Sequence, residues 1–278
     1  MTFGLRGVTV QQGGTTLLHD IDLELSPGTL TAVIGGDGAG KTTLLRSLVG
    51  LVAPTSGQVH STPPGCLGYA GAASGVYRDL TVEENLRFAA AAYRLPRDLI
   101  GQRIAELLEV TALAASRARR AAHLSGGMRQ KLAFACATMH HPELLVLDEP
   151  TTGVDPNSRA ELWRLVARTL ADGTTAVFSS TYVDEAARAD HVLVLDRGRT
   201  LTAGPPETIR GGVPGQVVRL DGVTSEAPSW RRGRIRHAWI APGARRPAGA
   251  APIEPDLEDA VIVAALAASA TRHREEAP

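Results

Sequence analysis

Nine consecutive residues, Gly35-Gly36-Asp37-Gly38-Ala39-Gly40-Lys41-Thr42-Thr43, carry the densest chemistry in the chain. A glycine, four residues, then Gly-Lys-Thr is the spacing of a phosphate-binding loop. Glycines let successive backbone N–H groups converge on one anion. The N-terminus of a helix that follows adds its partial positive charge. Lys41 is long enough to reach terminal phosphates, and the Thr42 hydroxyl suits Mg²⁺. Two elements must hold this loop. Leu30 to Ile34 is apolar throughout and reads as a strand entering it. Thr43 to Val49, with Leu44, Leu45 and Leu48 at helical spacing, reads as the helix leaving it.

A second constellation lies a hundred residues downstream. Leu144 to Leu147 is a buried-type strand that ends in the acid pair Asp148-Glu149. Ligands of open α/β sheets sit at the carboxyl ends of strands. Asp148 there would hold Mg²⁺ through water, and Glu149 would orient and activate an attacking water. Just upstream, Ser125-Gly126-Gly127 opens a helix predicted to run to about His140. Serine and glycine at a helix start make another anion-seeking end. His140 and His141 fall in that helix's last turn, where a cation suits the dipole, and read as caps.

The other elements follow from periodicity and turn residues. Strands are predicted over 5–10, 17–25, 58–60 and 67–70, and a loop of small residues over 71–75. Thr81 and Glu84 form a capping box that starts a helix running to about Tyr93. Pro96 starts another, with Ile100, Ile104, Leu107 and Leu108 on one side. The residues 61–123 read as an inserted helical arm, and the arginines within 117–120 as its solvated end. Residues 200–204 and 205–208 finish the core with a strand and a short helix. Beyond them, 216–220 starts a small sheet. Residues 230–240 read as one strand with a charged face, solvated in preference to touching lipid headgroups. Residues 242–252 read as a loop, 257–270 as a helix packing back on the strands, and the tail after Thr271 as disordered. His19 and His60 read as surface or core histidines without a catalytic part. This divides the chain into 1–212, a nucleotide-binding domain with its helical part within about 72–140, and 213–278, an appendage.

Composition narrows the class. The 278 residues are 44% apolar with a formal net charge of +0, which supports a real core and removes the basic surplus that nucleic acid would call for. Cys66 and Cys136 fit no metal or redox spacing and read as ordinary packed thiols. The start of the chain lacks a basic-then-apolar signal pattern. The apolar run 260–270 is too short to span a bilayer, so a membrane role would need another chain to supply the span.

The four stretches in this order resemble the ATP-binding subunit of ATP-binding-cassette (ABC) transporters over about residues 3–210. Gly35 to Thr43 matches the Walker A loop, Ser125 to Gln130 the signature sequence, Leu144 to Glu149 Walker B, and Gly153-Val154-Asp155-Pro156 the D-loop. Leu80 to Leu86 and Pro255 to Ala260 look most like subunits that serve ABC-2-type drug and lipid exporters. The resemblance implies an α/β fold, a mixed-sheet core with an inserted helical subdomain and an antiparallel β subdomain, followed here by a small α+β appendage. It implies ATP and Mg²⁺ as ligands, with Lys41, Asp148 and Glu149 as catalytic residues and Thr42 and Asp148 at the metal. Two such domains face head to tail, and each ATP lies between one domain's Walker motifs and the other's Ser125, Gly126, Gly127 and Gln130. The implied partners are a second ATPase domain and an integral membrane permease, with the chain peripheral at the cytoplasmic face of the cell membrane.

Three positions depart from the family pattern. Gln12 stands where a tyrosine stacks on adenine, Ala72 where a glutamine senses Mg²⁺ and the attacking water, and Thr181 where a histidine contacts the γ-phosphate. An aromatic–base stack contributes about 1–3 kcal/mol. Loss of one positioned donor to developing charge costs about 3 kcal/mol, roughly a hundredfold to a thousandfold in rate. The expectation is ATP and Mg²⁺ binding with slow hydrolysis at the chain's own Walker site, and an intact signature able to complete a partner's site. A heterodimer with a more complete ATPase and a compensating homodimer both remain open.

Overall fold

The computed structural model describes residues 2–73, 75–222 and 225–275. In chain order the elements are β1 (Phe3–Gln12), β2 (Thr15–Leu25), β3 (Leu30–Ile34), α1 (Lys41–Leu48), β4 (Ser56–His60), β5 (Leu67–Ala70), α2 (Val82–Ala92), α3 (Arg97–Val110), α4 (Gly126–Ala137), β6 (Leu144–Asp148), α5 (Pro156–Ala171), β7 (Thr175–Ser180) and α6 (Val183–Ala186). There follow β8 (His191–Asp196), β9 (Arg199–Gly204), α7 (Pro206–Gly211), β10 (Gln216–Arg219), β11 (Ser229–Arg232), β12 (Ile235–Ile240), β13 (Ala251–Pro252) and α8 (Leu257–Glu275).

A six-stranded sheet in the order β5-β6-β7-β3-β8-β9 forms the centre, parallel except for its last strand. Its strands β3, β6 and β7 are buried along their whole length, which is why they read as apolar runs rather than alternations. Alternate side chains serve two cores. Leu30, Ala32, Ile34, Leu145 and Leu147 face one side with Phe134, Trp163 and Val166 of the helices. Val33, Leu144 and Val146 face the other with Leu44, Leu45 and Leu48 of α1 and the inner residues of an antiparallel sheet, β2-β1-β4. The phosphate loop and the acid pair therefore sit at the carboxyl edge of a sheet clamped on both faces.

A third core joins α2 and α3 to one side of α4 through Val82, Leu86, Ile104, Leu107, Leu108 and Leu132. The capping box is present: Thr81 Oγ1 accepts from the Glu84 N–H at 3.2 Å, and the Thr81 N–H donates to Glu84 Oε2 at 2.7 Å. Arginines 117 and 87 both grip Glu83, so the solvated end of this arm is partly tied down, and the Glu83 carboxyl is drawn down to about 2 by those two guanidiniums.

Several expectations need correction. Helix α4 ends at Ala137 with Thr138 as its C-cap, so His140 and His141 lie beyond the helix. His140 instead stacks on Tyr93, with ring centroids 3.6 Å apart. Burial pushes its imidazole down to about 4, so it is neutral at pH 7 and offers the dipole no charge. Helix α1 begins at Lys41, two residues earlier than predicted, and β1 and β2 are longer at both or one end. Residues 230–240 form a hairpin, not one strand, because Gly233 at φ 60 turns the chain between Arg232 and Ile235. Two loop residues, Ala251–Pro252, pair with β10 as β13. Helix α8 continues to Glu275, past the predicted order–disorder point at Thr271; the rest of the expected tail, 276–278, lies outside the described residues, as does Ser74 of the predicted small-residue loop.

The C-terminal sheet, β11-β12-β10-β13, packs Val217 and Trp239 on Val263 of α8. The same helix sends Leu257 and Ala260 into the central core. Asp259 is buried and takes hydrogen bonds from Trp230 Nε1 at 2.9 Å and from the Asp256 N–H, with His237 Nδ1 also at 2.9 Å. One helix thus couples both parts of the chain. No helix among the described residues is long and apolar enough to cross a membrane.

Candidate functional site

Strand β3 delivers the chain into the loop 35–40, and Gly40 in a left-handed conformation (φ 105) turns it into α1. A Cβ on Gly40 would lie 2.8 Å from Leu18 Cδ2, and one on Gly35 2.4 Å from the Leu195 carbonyl oxygen. Only glycine lets the loop pass this close to β2 and β8. No side chain caps α1, so the first N–H groups of the helix stay free for a ligand. Gly36, Asp37 and Gly38 are exposed at the crest, Ala39 is buried beneath it, and Thr43 is half-buried.

Lys41 is buried (4% exposed), with its ammonium folded back over its own loop. Nζ donates to the carbonyls of Gly35 (2.9 Å) and Gly36 (3.1 Å) and lies 3.5 Å from Glu149 Oε1. Its charge is held by partial charges and one carboxylate, an arrangement that an incoming phosphate would compete for. Thr42 Oγ1 donates to Asp148 Oδ1 at 3.1 Å.

Asp148 is 1% exposed, and its Oδ2 is buried without a hydrogen-bond partner. A buried carboxylate oxygen left bare is costly unless something cationic or protic completes it. Mg²⁺ with its waters fits that need, since it takes oxygen ligands and is held by one or two carboxylates beside substrate phosphates. Thr42 and Asp148 would hold it, and it would supply charge neutralisation there. Glu149 sits at φ 50, a left-handed conformation unusual for a residue with a side chain. That conformation turns the Glu149 carboxylate away from the strand direction of Asp148, toward Lys41 and Thr152, whose Oγ1 donates to Oε2 at 3.2 Å.

Sequence reasoning missed the residue that links the two acids. Ser179 is fully buried; its hydroxyl donates to Asp148 Oδ1 at 2.6 Å and accepts from the Glu149 N–H at 2.9 Å. Asp148 and Ser179 are register partners on β6 and β7. The available signal was the polar pair Ser179-Ser180 at the end of an apolar run, but its meaning depends on strand order. Ser180 leads into a second network: it and Thr151 each donate to buried Glu185 at 2.6 Å, and Arg159 lies 3.6 Å from the same carboxylate and over the Tyr182 ring. Ser179→Ala is expected to lower Mg²⁺-dependent turnover about ten- to a hundredfold, the usual effect of removing a group that orients a metal ligand. Ser179→Thr should restore most of it. The Mg²⁺ concentration for half-maximal rate, read beside the thermal midpoint, checks this; a fall in midpoint alone would reduce Ser179 to a packing residue.

The signature residues stand apart from this cluster. Ser125 caps α4, its Oγ accepting from the Met128 N–H at 3.2 Å. Gly127 packs against the start of α5 so closely that a Cβ would lie 2.4 Å from Ser158 Cβ, and a Cβ on Gly126 would lie 3.0 Å from the Gly153 carbonyl oxygen. Asp155 caps α5, accepting from the N–H groups of Asn157 and Ser158. Signature and D-loop are therefore one rigid edge; Gln130, a turn further along α4, is half-buried. Among the described residues no hydrogen bond or ion pair joins 125–130 to 35–43 or to the acid pair.

Gln12, Ala72 and Thr181 are all exposed, and among the described residues the Gln12 and Thr181 side chains make no hydrogen bond. Two of them follow strands that border the site. Thr181 directly follows Ser180, which pairs with Ile34 just before the loop; Ala72 lies two residues beyond Ala70, which pairs with Leu147 just before the acid pair.

The comparisons agree with this geometry. A family model described as ABC transporter matches residues 18–152. The probable multidrug ABC transporter ATP-binding protein YbhF of Escherichia coli is 40% identical over 206 residues, 70% of this chain, although the chain spans only 36% of that relative's length. The Nod factor export ATP-binding protein I of Cupriavidus metallidurans is 34% identical over 230 residues, covering 78% of this chain and 76% of that protein. A solved ATP-binding subunit of an ABC transporter superposes with a TM-score of 0.69 at 27% identity, covering 76% of this chain and 92% of its own.

Proposed function

Because the chain belongs to the ATP-binding proteins of ABC transporters, we propose that it binds MgATP and powers export through a separate membrane permease. The observation that carries this is the bare, buried Asp148 Oδ2 beside Thr42, Lys41 and Glu149. A cation and a phosphate chain complete all four groups at once. Names of relatives favour export: one is a probable multidrug transporter protein and another serves Nod factor export. With no membrane-spanning helix among the described residues, the span falls to another chain. The chain would then act at the cytoplasmic face of the membrane.

The separation of signature from Walker site supports a two-domain sandwich. Lys41 and Asp148 of one domain would meet Ser125, Gly126 and Gly127 of another across the bound triphosphate. Ala72, which has no donor, and Thr181, whose hydroxyl is short, favour slow hydrolysis at the chain's own site, hence an asymmetric pair with a more complete ATPase. A specific second reading follows from the same two positions: a subunit that binds ATP without hydrolysing it and completes its partner's site. Affinity purification of the full chain from detergent extracts, with ATPase assay of what emerges, tests both. An integral membrane protein and a second cassette with Glu149-dependent turnover fit the first reading. Turnover that ignores Glu149 but needs Ser125 fits the second. Absence of any membrane protein would sink both.

A further inference from the structure

The β11–β12 hairpin carries four arginines with two different fates. Arg232 is ion-paired to Asp256 and Glu258 at the start of α8 and serves the fold. Arg231, Arg234 and Arg236 are exposed, and among the described residues their side chains have neither an ion pair nor a hydrogen bond. Arg231 and Arg236 are direct cross-strand partners. Like charges directly opposite destabilise an antiparallel pair. Edge protection is a common reason for cations on an outer strand, and it accounts for Arg231 on β11. It does not account for Arg236, because β12 is paired on both sides, by β11 and by β10. Ile235, 39% exposed beside the turn, pairs with Arg232 and shares the face of His237, so it meets the arginines only at the hairpin's tip. Trp230 and His237, on the other face, are taken up by α8 through Asp259, so Arg231 and Arg236 lie on the face that the helix leaves uncovered, with Arg234 in the turn between the strands.

We propose that this hairpin tip binds the phosphate headgroups of an anionic lipid surface, with Arg231, Arg234 and Arg236 on the phosphates and Ile235 entering the interface. Clustered cations beside an exposed apolar side chain are the combination that such a surface selects. Among the described residues no buried acceptor bonds these guanidiniums, and a lipid surface requires none. The formal net charge of the whole chain is +0, so attraction to a charged bilayer must come from a local patch such as this one. The inference rests on the reading that the chain works at a membrane.

The test is co-sedimentation of the full chain with vesicles of phosphatidylcholine alone and with added phosphatidylglycerol, at low and high salt. Binding is expected only to the anionic vesicles and should weaken with salt. Arg231→Gln/Arg234→Gln/Arg236→Gln should reduce it about a hundredfold, at about fivefold per arginine. The thermal midpoint of that variant should hold or rise, since it removes a like-charge pair. Ile235→Ser should weaken binding further, and inorganic phosphate should fail to displace the chain. Failure to bind, equal binding to neutral vesicles, or binding that survives the triple substitution each overturns the proposal. So does a triple variant that keeps its lipid binding but loses the membrane protein, which would make the patch a protein contact. The vesicle assay contains no permease, so its failure leaves the ATP-binding reading standing, and failed co-purification leaves the vesicle result standing.

Discussion

Glu149→Gln is expected to lower ATP turnover at this chain's own Walker site by about a hundredfold to ten-thousandfold while leaving nucleotide binding nearly unchanged, the span that loss of a positioned general base produces. The geometry separates the two effects. Glutamine keeps the volume of Glu149 and an oxygen for the Thr152 hydroxyl, so the left-handed turn at φ 50 is retained. It loses the negative charge that faces Lys41 at 3.5 Å and the ability to take a proton from water. Lys41, relieved of its counter-ion, is freer to turn from the Gly35 and Gly36 carbonyls toward a phosphate. Affinity should therefore hold or tighten as the rate falls. Single-turnover hydrolysis and binding of a fluorescent ATP analogue, on the same preparation, read the two quantities. Equal rates for wild type and variant would mean that this site does not hydrolyse ATP, which is the second functional reading.

The legible part of the site was the part built from consecutive residues. Gly35 to Thr43 carries its own turn, helix start and charge, so its spacing is enough. Asp148 and Glu149 were legible because a buried apolar strand ending in two acids has few other uses. Ser179 was not, since its role depends on β7 lying beside β6, a pairing 31 residues apart that no local pattern reports. The network of Thr151, Ser180, Glu185 and Arg159 escaped for the same reason. His140 failed differently. Its charge was inferred from a helix end that stops three residues earlier, and burial against Tyr93 then removes the charge. The hairpin at 229–240 was hidden by its arginines, which alternate as one long strand would and disguise the turn at Gly233. Local propensity reads elements; it does not read which of them become neighbours.

Restoring histidine at position 181 is expected to raise the rate by about a hundredfold to a thousandfold, the value of one positioned donor to developing charge. Residue 181 directly follows Ser180, the β7 partner of Ile34, which leads into the phosphate loop. The threonine hydroxyl is too short to reach a phosphate held over that loop, whereas an imidazole extends farther from the same Cα. The substitution should cost the fold little, because Thr181 is exposed and its side chain has no hydrogen bond among the described residues, while Ser180 and Tyr182 keep their own contacts. Ala72 offers a control at the same site. It follows β5, whose Ala70 pairs with Leu147 just before the acid pair, so Ala72→Gln would act on the attacking water and Mg²⁺ rather than on the phosphate. If slow hydrolysis comes from these two gaps, Thr181→His should raise kcat with KM little changed, and Ala72→Gln should add to it and lower the Mg²⁺ requirement. A rate that stays flat in both variants, with Glu149 intact, would place the limiting step elsewhere, in pairing with the second domain, and would remove the argument for a degenerate site.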